Sequence, residues 1–273
     1  MHASNDELRP PNMKDPDIPD FTGRLKVPLS DTTCVDFFRL YLTDDILDMF
    51  VKETNLYAKQ TTGAARQRAG GLTKYGRFAA WYDTDREEMK QFIALMLLMG
   101  IVRKPAVESY WSNNSLLSTP IFGSVMRRNR FQLLMHFWHC NDNSKEPARN
   151  APNRDRFYKV RPLLTQLQTQ FQTVYKPCKF TAIDESLQLW KGQLVFKQYI
   201  PLKRARFGIK LFVLCEDSGY TFRFHVYTRK QDPGFLLENH IPPDALHLTR
   251  TERLVVFMMN GMMDRGYHLL VDN

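Results

Sequence analysis

Residues 180–190 read Phe-Thr-Ala-Ile-Asp-Glu-Ser-Leu-Gln-Leu-Trp, so that apolar and polar side chains alternate along them. A period of two is typical of a half-buried β-strand. The run Gly208–Cys215 suits a central strand, and Tyr220–Thr228 alternates again after the turn residues Asp-Ser-Gly at 217–219. The sequence therefore predicts a β-sheet that begins just after Cys178.

The segment that follows predicts a helix and one further strand. Thr251–Arg265 places apolar side chains at helical spacing, Gly266 is suited to the position that caps a helix, and Tyr267–Val271 predicts a fourth strand. The order β-β-β-α-β opens an α/β domain. In such a unit the fourth strand returns parallel to the first strand and beside it.

The sequence before Cys178 predicts helices throughout. Thr43 is a suitable N-cap for a helix that starts at Asp44. Residues 84–87 (Thr-Asp-Arg-Glu) predict a capping box, with Thr84 as the cap, for a second helix that is apolar almost all round. A helix of this kind belongs in a core, so we expect Leu97 to be fully buried.

Two other segments predict irregular structure. Residues 60–77 are rich in glycine and basic residues, which indicates a mobile basic loop. Residues 1–30 combine prolines and acidic residues with few large apolar side chains, which predicts a disordered or loosely docked arm. The expected domains are therefore this arm, a helical domain over residues 31–178 and a partial α/β domain over residues 179–273.

Composition limits the possible functions. The 273 residues are 43% hydrophobic and 25% charged, which excludes collagen-like and wholly disordered chains. A net charge of +9 favours a polyanionic partner, with nucleic acid as the first candidate and a merely solvated basic surface as the alternative. No secretory signal and no apolar run of about 18 residues is visible. The four cysteines stand apart, which fits reduced thiols and predicts no zinc site.

Two aspartates stand at positions where a sheet could bring them together. Asp184 lies within the first predicted strand, and Asp272 follows the fourth. If those strands are neighbours, the carboxylates could converge at one end of the sheet. Paired carboxylates repel each other, and a hard divalent cation relieves that repulsion. The alternative is that each aspartate only caps a strand or forms a turn.

Several motifs, taken in chain order, resemble the piggyBac transposase family. The motifs are Asn55-Leu56-Tyr57-Ala58, Tyr110-Trp111-Ser112, Arg128-Asn129-Arg130-Phe131, Ile183-Asp184-Glu185-Ser186, Lys191-Gly192, Gln198-Tyr199-Ile200-Pro201-Leu202-Lys203, Phe207-Gly208-Ile209-Lys210 and Gly266-Tyr267-His268-Leu269-Leu270-Val271-Asp272-Asn273. Each motif alone is a weak signal. The ordered set, with compatible spacings from about Asp31 to Asn273, is specific.

The resemblance implies a DNA transposase with an RNase H-like catalytic domain that uses Mg²⁺ to cut and join DNA at TTAA sites. Asp184 would be the first catalytic and metal-binding aspartate, and Asp272 the second. The third aspartate of the family and its cysteine-rich zinc tail have no counterpart in these residues, so we expect no strand transfer by this chain alone. The resemblance further implies a nuclear protein, with a helical domain that serves dimerisation and DNA binding.

A run of basic residues without intervening acids is a candidate DNA-binding surface. Tyr199 and Phe207 interleave with it and could stack on exposed bases. A solvated strand edge is the alternative. The run consists of Lys191, Lys197, Lys203, Arg204, Arg206 and Lys210.

Two smaller groups of residues have open interpretations. Arg127, Arg128 and Arg130 precede an apolar helix, where they could contact phosphates or simply be hydrated. His136, His139 and Cys140 lie close enough in sequence to suggest metal binding, but their apolar neighbours favour core packing.

Three functions remain open from the sequence. The first is a transposase-derived DNA-binding protein that cannot transpose alone. The second is the N-terminal part of an active cut-and-paste transposase. The third is a domesticated module that binds chromatin proteins.

Overall fold

The computed structural model describes residues 21, 23–26, 33–67, 77–148, 151, 154–201, 206–228, 242, 245 and 247–272. Its helices are α1 (Cys34–Arg39), α2 (Asp44–Gln67), α3 (Arg86–Ile101), α4 (Pro120–Val125), α5 (Arg128–Phe137), α6 (Arg161–Val174) and α7 (Arg250–Met258). Its strands are β1 (Arg24–Leu25), β2 (Tyr175–Lys176), β3 (Phe180–Leu189), β4 (Gln198–Tyr199), β5 (Phe207–Glu216), β6 (Thr221–Val226) and β7 (His268–Val271). No helix in these ranges is long and apolar enough to span a membrane.

The larger sheet has five strands. The order β4-β5-β3-β7 forms a path, and β6 pairs with β5 as well. β3 and β5 are antiparallel, whereas β7 lies parallel to β3 with Ile183 opposite Val271. The predicted mixture of helices and a sheet is confirmed, and the strand after the crossover helix lies beside the first strand of this sheet, as expected.

Residues of the chain form two compact units, Thr32–Leu167 and Gln168–Asn273, the second of which also takes in Met1–Asp31. The first unit, here called the helical unit, contains α1 to α5 and the start of α6. The second, here called the sheet unit, contains all seven strands and α7. The domain roles suggested by the sequence stay predictions.

The core of the helical unit is formed where α2, α3 and α5 meet. Ile46, Phe92, Phe131 and Leu134 have no exposed surface. Phe92 and Phe131 pack with ring centres 5.1 Å apart. Burial of aromatic and aliphatic side chains of this size contributes about 1.5–3 kcal/mol each to stability, so these contacts hold the helices together.

Two predictions about α3 are wrong in detail. Leu97 is 54% exposed, because the buried face of α3 runs through Met89, Phe92 and Ile93. A helix that is apolar on every side does not show in its sequence which face is covered. The cap is Asp85, whose carboxylate accepts the backbone N–H of Glu88, and Thr84 is the buried residue before it.

Two helix ends also differ from the prediction. α2 continues to Gln67, so residues 60–67 are helical, and the rest of the predicted basic loop up to residue 76 lies outside the described residues. Gln60 supports the extension by donating a hydrogen bond to Asp142 at 2.9 Å. α7 ends at Met258, and turns with positive φ at Gly261, Asp264 and Gly266 replace the predicted last two turns of helix.

A buried ion pair joins α3 to α5 in the helical unit. Arg130 is 7% exposed and donates to both carboxylate oxygens of Glu88, from Nε at 2.7 Å and from Nη2 at 2.5 Å. Its guanidinium also lies over the rings of Tyr82 and Trp81, at 3.7 and 4.5 Å. Thr84 donates to Glu88 at 2.7 Å and is itself held by Asn55. The pair thus lies within a network that satisfies both charged groups.

The described part of the N-terminal arm belongs to the sheet unit. β1 pairs antiparallel with β2, and the backbone N–H of Lys26 donates to the carbonyl of Val174 at 2.7 Å. Phe21 contacts Tyr267 edge to face, with ring centres 5.0 Å apart. Gly23 approaches Cys178 so closely that a Cβ atom would lie 2.3 Å from its Sγ. Glycine at position 23 is therefore required by the close approach as well as by its positive φ.

Candidate metal and nucleic-acid site

Asp184 and Asp272 are brought to adjacent positions of the sheet. The last registered pair between β3 and β7 is Ile183 with Val271. Asp184 is the next residue of β3, and Asp272 directly follows the end of β7. Neighbouring strands lie about 4.8 Å apart. Both side chains are exposed, and both line one cleft of about 780 Å³. Two hard oxygen ligands at the end of a sheet suit a divalent cation such as Mg²⁺.

A third acidic residue lines the same cleft and forms an ion pair with a lysine. Glu185 forms an ion pair with Lys210 of β5, and the backbone N–H of Glu185 donates to the Asp184 carboxylate at 2.6 Å. Lys210 is mostly buried and lies 4.6 Å from the ring centre of Phe212. Lys210 therefore belongs to the wall of the cleft, whereas the sequence had grouped it with an open basic run.

Among the described residues, only one group of three potential ligands comes together, and it lies elsewhere. Cys178, Glu216 and Asp217 have ligand atoms within 4.8 Å of one another. Glu216 accepts hydrogen bonds from the Cys178 backbone N–H, the Tyr175 hydroxyl and the Ser218 hydroxyl, at 2.5–2.6 Å. Burial would raise the pKa of Glu216, but these hydrogen bonds outweigh it and lower the pKa.

The same surroundings make Cys178 a poor metal ligand. Burial, and then its contact with Glu216, raises the pKa of the Cys178 thiol. A thiolate is the form that binds metal, and Glu216 is already fully engaged. The group is therefore a hydrogen-bonded link between β2 and the end of β5.

The predicted basic run divides into separate parts. Lys191 and Arg206 are exposed around the short strand β4, and Lys197 lies 5.8 Å from the ring centre of Phe207. Lys203 and Arg204 lie outside the described residues. Three exposed aromatic side chains accompany these cations, with the rings of Tyr199 and Phe207 4.6 Å apart. We call this the hairpin surface: Trp190, Lys191, Lys197, Tyr199, Arg206 and Phe207.

The two smaller candidate groups divide into buried and exposed residues. Arg127 and Arg128 are exposed at the start of α5, whereas Arg130 is buried in its ion pair. His139 stacks on Tyr57 with ring centres 3.6 Å apart, and Asn143 donates to its Nε2 at 2.8 Å.

The cysteine of that second group is also a packing residue. Burial raises the pKa of Cys140 to about 11. Burial likewise lowers the pKa of His139, which favours its neutral form. Both ring nitrogens of His139 are already engaged, Nε2 by Asn143 and Nδ1 by the carbonyl of Phe137, so His139 and Cys140 agree with the core-packing interpretation. His136 does not, because it is exposed and stacks on Phe78.

Comparison with known proteins establishes the family. A family model described as Transposase IS4 matches residues 33–273, which is most of the chain. The chain belongs to this transposase family. The resemblance to the piggyBac transposases is thereby confirmed, and it extends across both units of this family member.

Several relatives of this transposase-family chain are human proteins. PiggyBac transposable element-derived protein 3 from Homo sapiens is 27% identical over 213 residues, which cover 76% of this chain and 32% of the relative. PiggyBac transposable element-derived protein 2 is 25% identical over 261 residues, or 94% of this chain and 38% of the relative. The chain thus spans about a third of the length of the curated relatives it matches.

One solved structure shows the same fold. The piggyBac transposase in a synaptic complex with hairpin DNA, determined by cryo-electron microscopy, matches with a TM-score of 0.61 and 23% identity. The match covers 87% of this chain and 49% of the solved chain.

Sequence reasoning missed part of the cleft. Tyr227 follows β6, and Arg250 is the first residue of α7; both line the cleft with the two aspartates. Neither residue lies in a recognisable motif. The alternation of Tyr220–Thr228 could have placed Tyr227 on the same face as Arg223 and His225, but only the packing of α7 against the sheet brings Arg250 there.

Proposed function

We propose that this chain is a transposase-derived protein that binds double-stranded DNA and holds a divalent cation weakly at Asp184 and Asp272. The observation that carries the proposal is the hairpin surface, in which exposed Lys191 and Arg206 and half-buried Lys197 lie among three exposed aromatic rings. Lysine and arginine contact phosphates, and aromatic faces stack on unpaired bases. The family of the chain supports DNA as the polyanion, and a nuclear location would follow from that ligand.

The DNA-binding prediction is tested by reversing charge on the hairpin surface. We expect Lys191→Glu, Lys197→Glu and Arg206→Glu together to weaken duplex binding, and to reduce the slope of log affinity against log salt by about 0.9 for each lost phosphate contact. Fluorescence anisotropy with a labelled 20-base-pair duplex over a salt series measures both effects.

A matched control separates local contact from net charge. Lys52, Lys145 and Lys159 are exposed lysines of the helical unit, and changing all three to glutamate alters the net charge equally. This control variant should keep most of the wild-type slope of log affinity against log salt. Equal affinity and slope for the hairpin variant and wild type would exclude the hairpin surface as the DNA contact.

The donor set of the cleft fits a weakly held cation. Asp184 and Asp272 supply hard oxygens, and Glu185 forms an ion pair with Lys210. In a phosphodiester-cleaving site, a bound divalent cation stabilises the attacking and leaving oxygens. The role of the two aspartates is to bind that cation, and the role of the Lys210 pair is to fix Glu185 beside them.

We expect the chain to bind Mn²⁺, a tighter probe of the same oxygen site than Mg²⁺, with a dissociation constant on the order of millimolar. Asp184→Asn and Asp272→Asn should each abolish that binding, while Asp217→Asn, in the Glu216 group, should not. Paramagnetic broadening of NMR signals from β3 and β7 detects such weak binding. Unchanged broadening in both cleft variants would remove the cation from this site.

An active enzyme is the second candidate function. It is favoured by the adjacent positions of Asp184 and Asp272, and by relatives that are more than twice as long as this chain. Metal-dependent nicking of a TTAA-containing duplex by the 273-residue chain, lost in Asp184→Asn, would establish it. We expect no such nicking, because two aspartates supply fewer ligands than two metal ions require.

Protein partners are a separate possibility. A homodimer and contacts with chromatin proteins were both suggested by the sequence. Affinity capture with and without nuclease treatment distinguishes protein contacts from DNA-bridged ones, since only direct protein contacts survive removal of the DNA.

A further inference from the structure

Helix α5 of the helical unit is held firmly by its inner face. Phe131, Leu134 and Phe137 have no exposed surface, and Arg130 forms the buried ion pair with Glu88. These side chains are used by the core of the unit. The side chains on the other face of α5 are therefore carried by a fixed helix, so their positions relative to one another are defined.

The outer face of α5 carries polar and basic side chains along its whole length. Arg128, Gln132 and His136 follow one another at intervals of four residues, which places them on the same side of the helix. Arg128 and His136 are exposed, and Gln132 donates to the carboxylate of Glu108 at 3.0 Å. Met135, which is 48% exposed, adds an apolar surface in the last turn.

A groove of about 440 Å³ borders this face. Gln132, Met135 and His136 line it from α5, and Arg77 and Phe78 line it from a short 3₁₀ helix. The ring of Phe78 stacks on that of His136, with ring centres 4.7 Å apart. Arg77 is exposed, so the groove brings a second arginine to the surface that Arg128 begins.

This surface has little acidic charge. Residues 109–141 contain no aspartate or glutamate. Glu108 lines the groove and is the acidic side chain that Gln132 contacts. No ion pair between described residues involves Arg77 or Arg128. Two exposed arginines without a carboxylate partner in the described ranges suit an anionic ligand, because a guanidinium donates to two oxygens of one phosphate.

We propose that the outer face of α5, together with Arg77, binds the sugar–phosphate backbone of a DNA duplex. Arg77 and Arg128 contact phosphates, and Met135 lies against a deoxyribose. Contacts of arginine and other polar side chains with phosphates and sugars fix the position of a protein on a duplex without reading its sequence. This inference rests on the proposed function in that DNA is the ligand, and it adds to the hairpin surface a second contact, in the helical unit.

The first test removes the two charges without reversing them. Arg77→Gln combined with Arg128→Gln should lower the slope of log affinity against log salt by about 0.9 for each lost phosphate contact, and weaken duplex binding several-fold. The control is Arg39→Gln combined with Lys145→Gln, which removes two exposed cations of the same unit that do not line the groove. The control should bind like wild type. Fluorescence anisotropy without divalent metal measures both variants.

A change of opposite sign tests the same surface. Glu108→Gln should tighten duplex binding, because it removes the like charge that lines the groove beside the phosphates. The amide of glutamine can still accept the hydrogen bond from Gln132. Weaker or unchanged binding of this variant would contradict a phosphate in the groove.

Photocrosslinking locates the DNA directly. The photoreactive residue p-benzoylphenylalanine, placed at Met135, should crosslink to the duplex on irradiation. The same residue placed at Leu97, which is 54% exposed on α3, is the matched control and should give little crosslink. Equal crosslinking at the two positions would show that the duplex does not select the α5 surface.

The outcomes separate this contact from the proposed function. If the duplex binds but Arg77→Gln with Arg128→Gln keeps the wild-type slope, the α5 contact is overturned and the hairpin surface stands or falls by its own variant. If the wild type binds no duplex, both are overturned. If polyglutamate suppresses the crosslink at position 135 as well as unlabelled duplex does at equal charge, the surface takes acidic peptides, and DNA as its selected ligand is overturned.

Discussion

Replacing Arg130 with alanine is expected to lower the free energy of unfolding by about 3–5 kcal/mol, the range for removing one partner of a buried ion pair. The guanidinium makes two hydrogen bonds to Glu88 and one to the carbonyl of Tyr82, and it lies over two aromatic rings. Its loss leaves a partly buried carboxylate without its cation. Urea denaturation followed by tryptophan fluorescence reports this, because Trp81, Trp111 and Trp138 all lie in the helical unit.

The pH dependence separates this cause from lost packing. Burial would raise the pKa of Glu88, but the hydrogen bonds from Arg130 and Thr84 and the charge of Arg130 outweigh it, so the pKa is lowered. A lowered carboxyl pKa gives stability that is present above about pH 4.5 and is lost as the pH falls through the folded-state pKa. Without Arg130, burial raises the pKa of Glu88. As the pH falls, Glu88 of the variant therefore takes up its proton at a higher pH than Glu88 of the wild type, and the neutral carboxyl group no longer needs the lost cation. The difference in the free energy of unfolding between the wild type and Arg130→Ala should therefore become smaller from pH 7 to about pH 4.

Two further variants complete this test. Arg128→Ala removes an exposed arginine two positions earlier in α5 and should change stability by no more than about 0.5 kcal/mol. Glu88→Leu combined with Arg130→Leu removes both charges, and it should cost less than Arg130→Leu alone. If the double variant loses as much stability as the two single variants added together, or if the difference between wild type and Arg130→Ala does not change with pH, Arg130 acts only by filling space.

The motifs in the helical unit resemble those of the family, and their side chains also stabilise the fold through hydrogen bonds and an ion pair. Asn55 fixes Thr84 through two hydrogen bonds, and the Tyr110 hydroxyl donates to the carbonyl of Val102 at the end of α3. Trp111 Nε1 donates to the carbonyl of Met126, and Arg130 forms the buried ion pair. Sequence reasoning found these positions but could not assign their role, since a buried arginine and a phosphate-binding arginine look alike without their partners.

The sheet and its two aspartates were more predictable. Alternating side chains and a parallel return strand are local and topological signals, and together they placed Asp184 beside Asp272. The exposure of Leu97 and the position of Arg250 could not be predicted in this way, because both depend on which elements pack together over long distances in sequence. The short strand β4 was missed because two residues are too few to show a period.

Arg223 of β6 is the second residue whose loss should strongly destabilise the protein. It is 8% exposed, and its Nη1 donates to the carbonyls of Phe257 and Met258 at 2.6 and 2.9 Å, while Nη2 donates to the side-chain oxygen of Gln172 at 2.5 Å. Burial lowers its pKa to about 10, so the guanidinium remains charged at neutral pH. A positive charge at the carboxyl end of α7 also interacts favourably with the negative end of the helix dipole.

Arg223→Met is expected to lower the free energy of unfolding by about 3 kcal/mol, since hydrogen bonds from a charged donor contribute about 1.5–3 kcal/mol and the acceptors would stay buried. Methionine removes the cost of burying the charge, but it leaves the carbonyls at the end of α7 without this donor, and the second effect should dominate. Arg265→Met, an exposed change in the turn after α7, should alter stability by no more than about 0.5 kcal/mol.

Hydrogen exchange resolved by peptide should show faster exchange in β6 and α7 of the Arg223→Met variant, because α7 is then less firmly held to the sheet. If Arg223→Met instead unfolds at the same urea concentration as wild type and exchanges no faster in α7, the hydrogen bonds of the guanidinium only offset its desolvation. The packing of Leu254, Phe257 and Met258 against the sheet would then be what holds α7, and with it Arg250, beside the cleft.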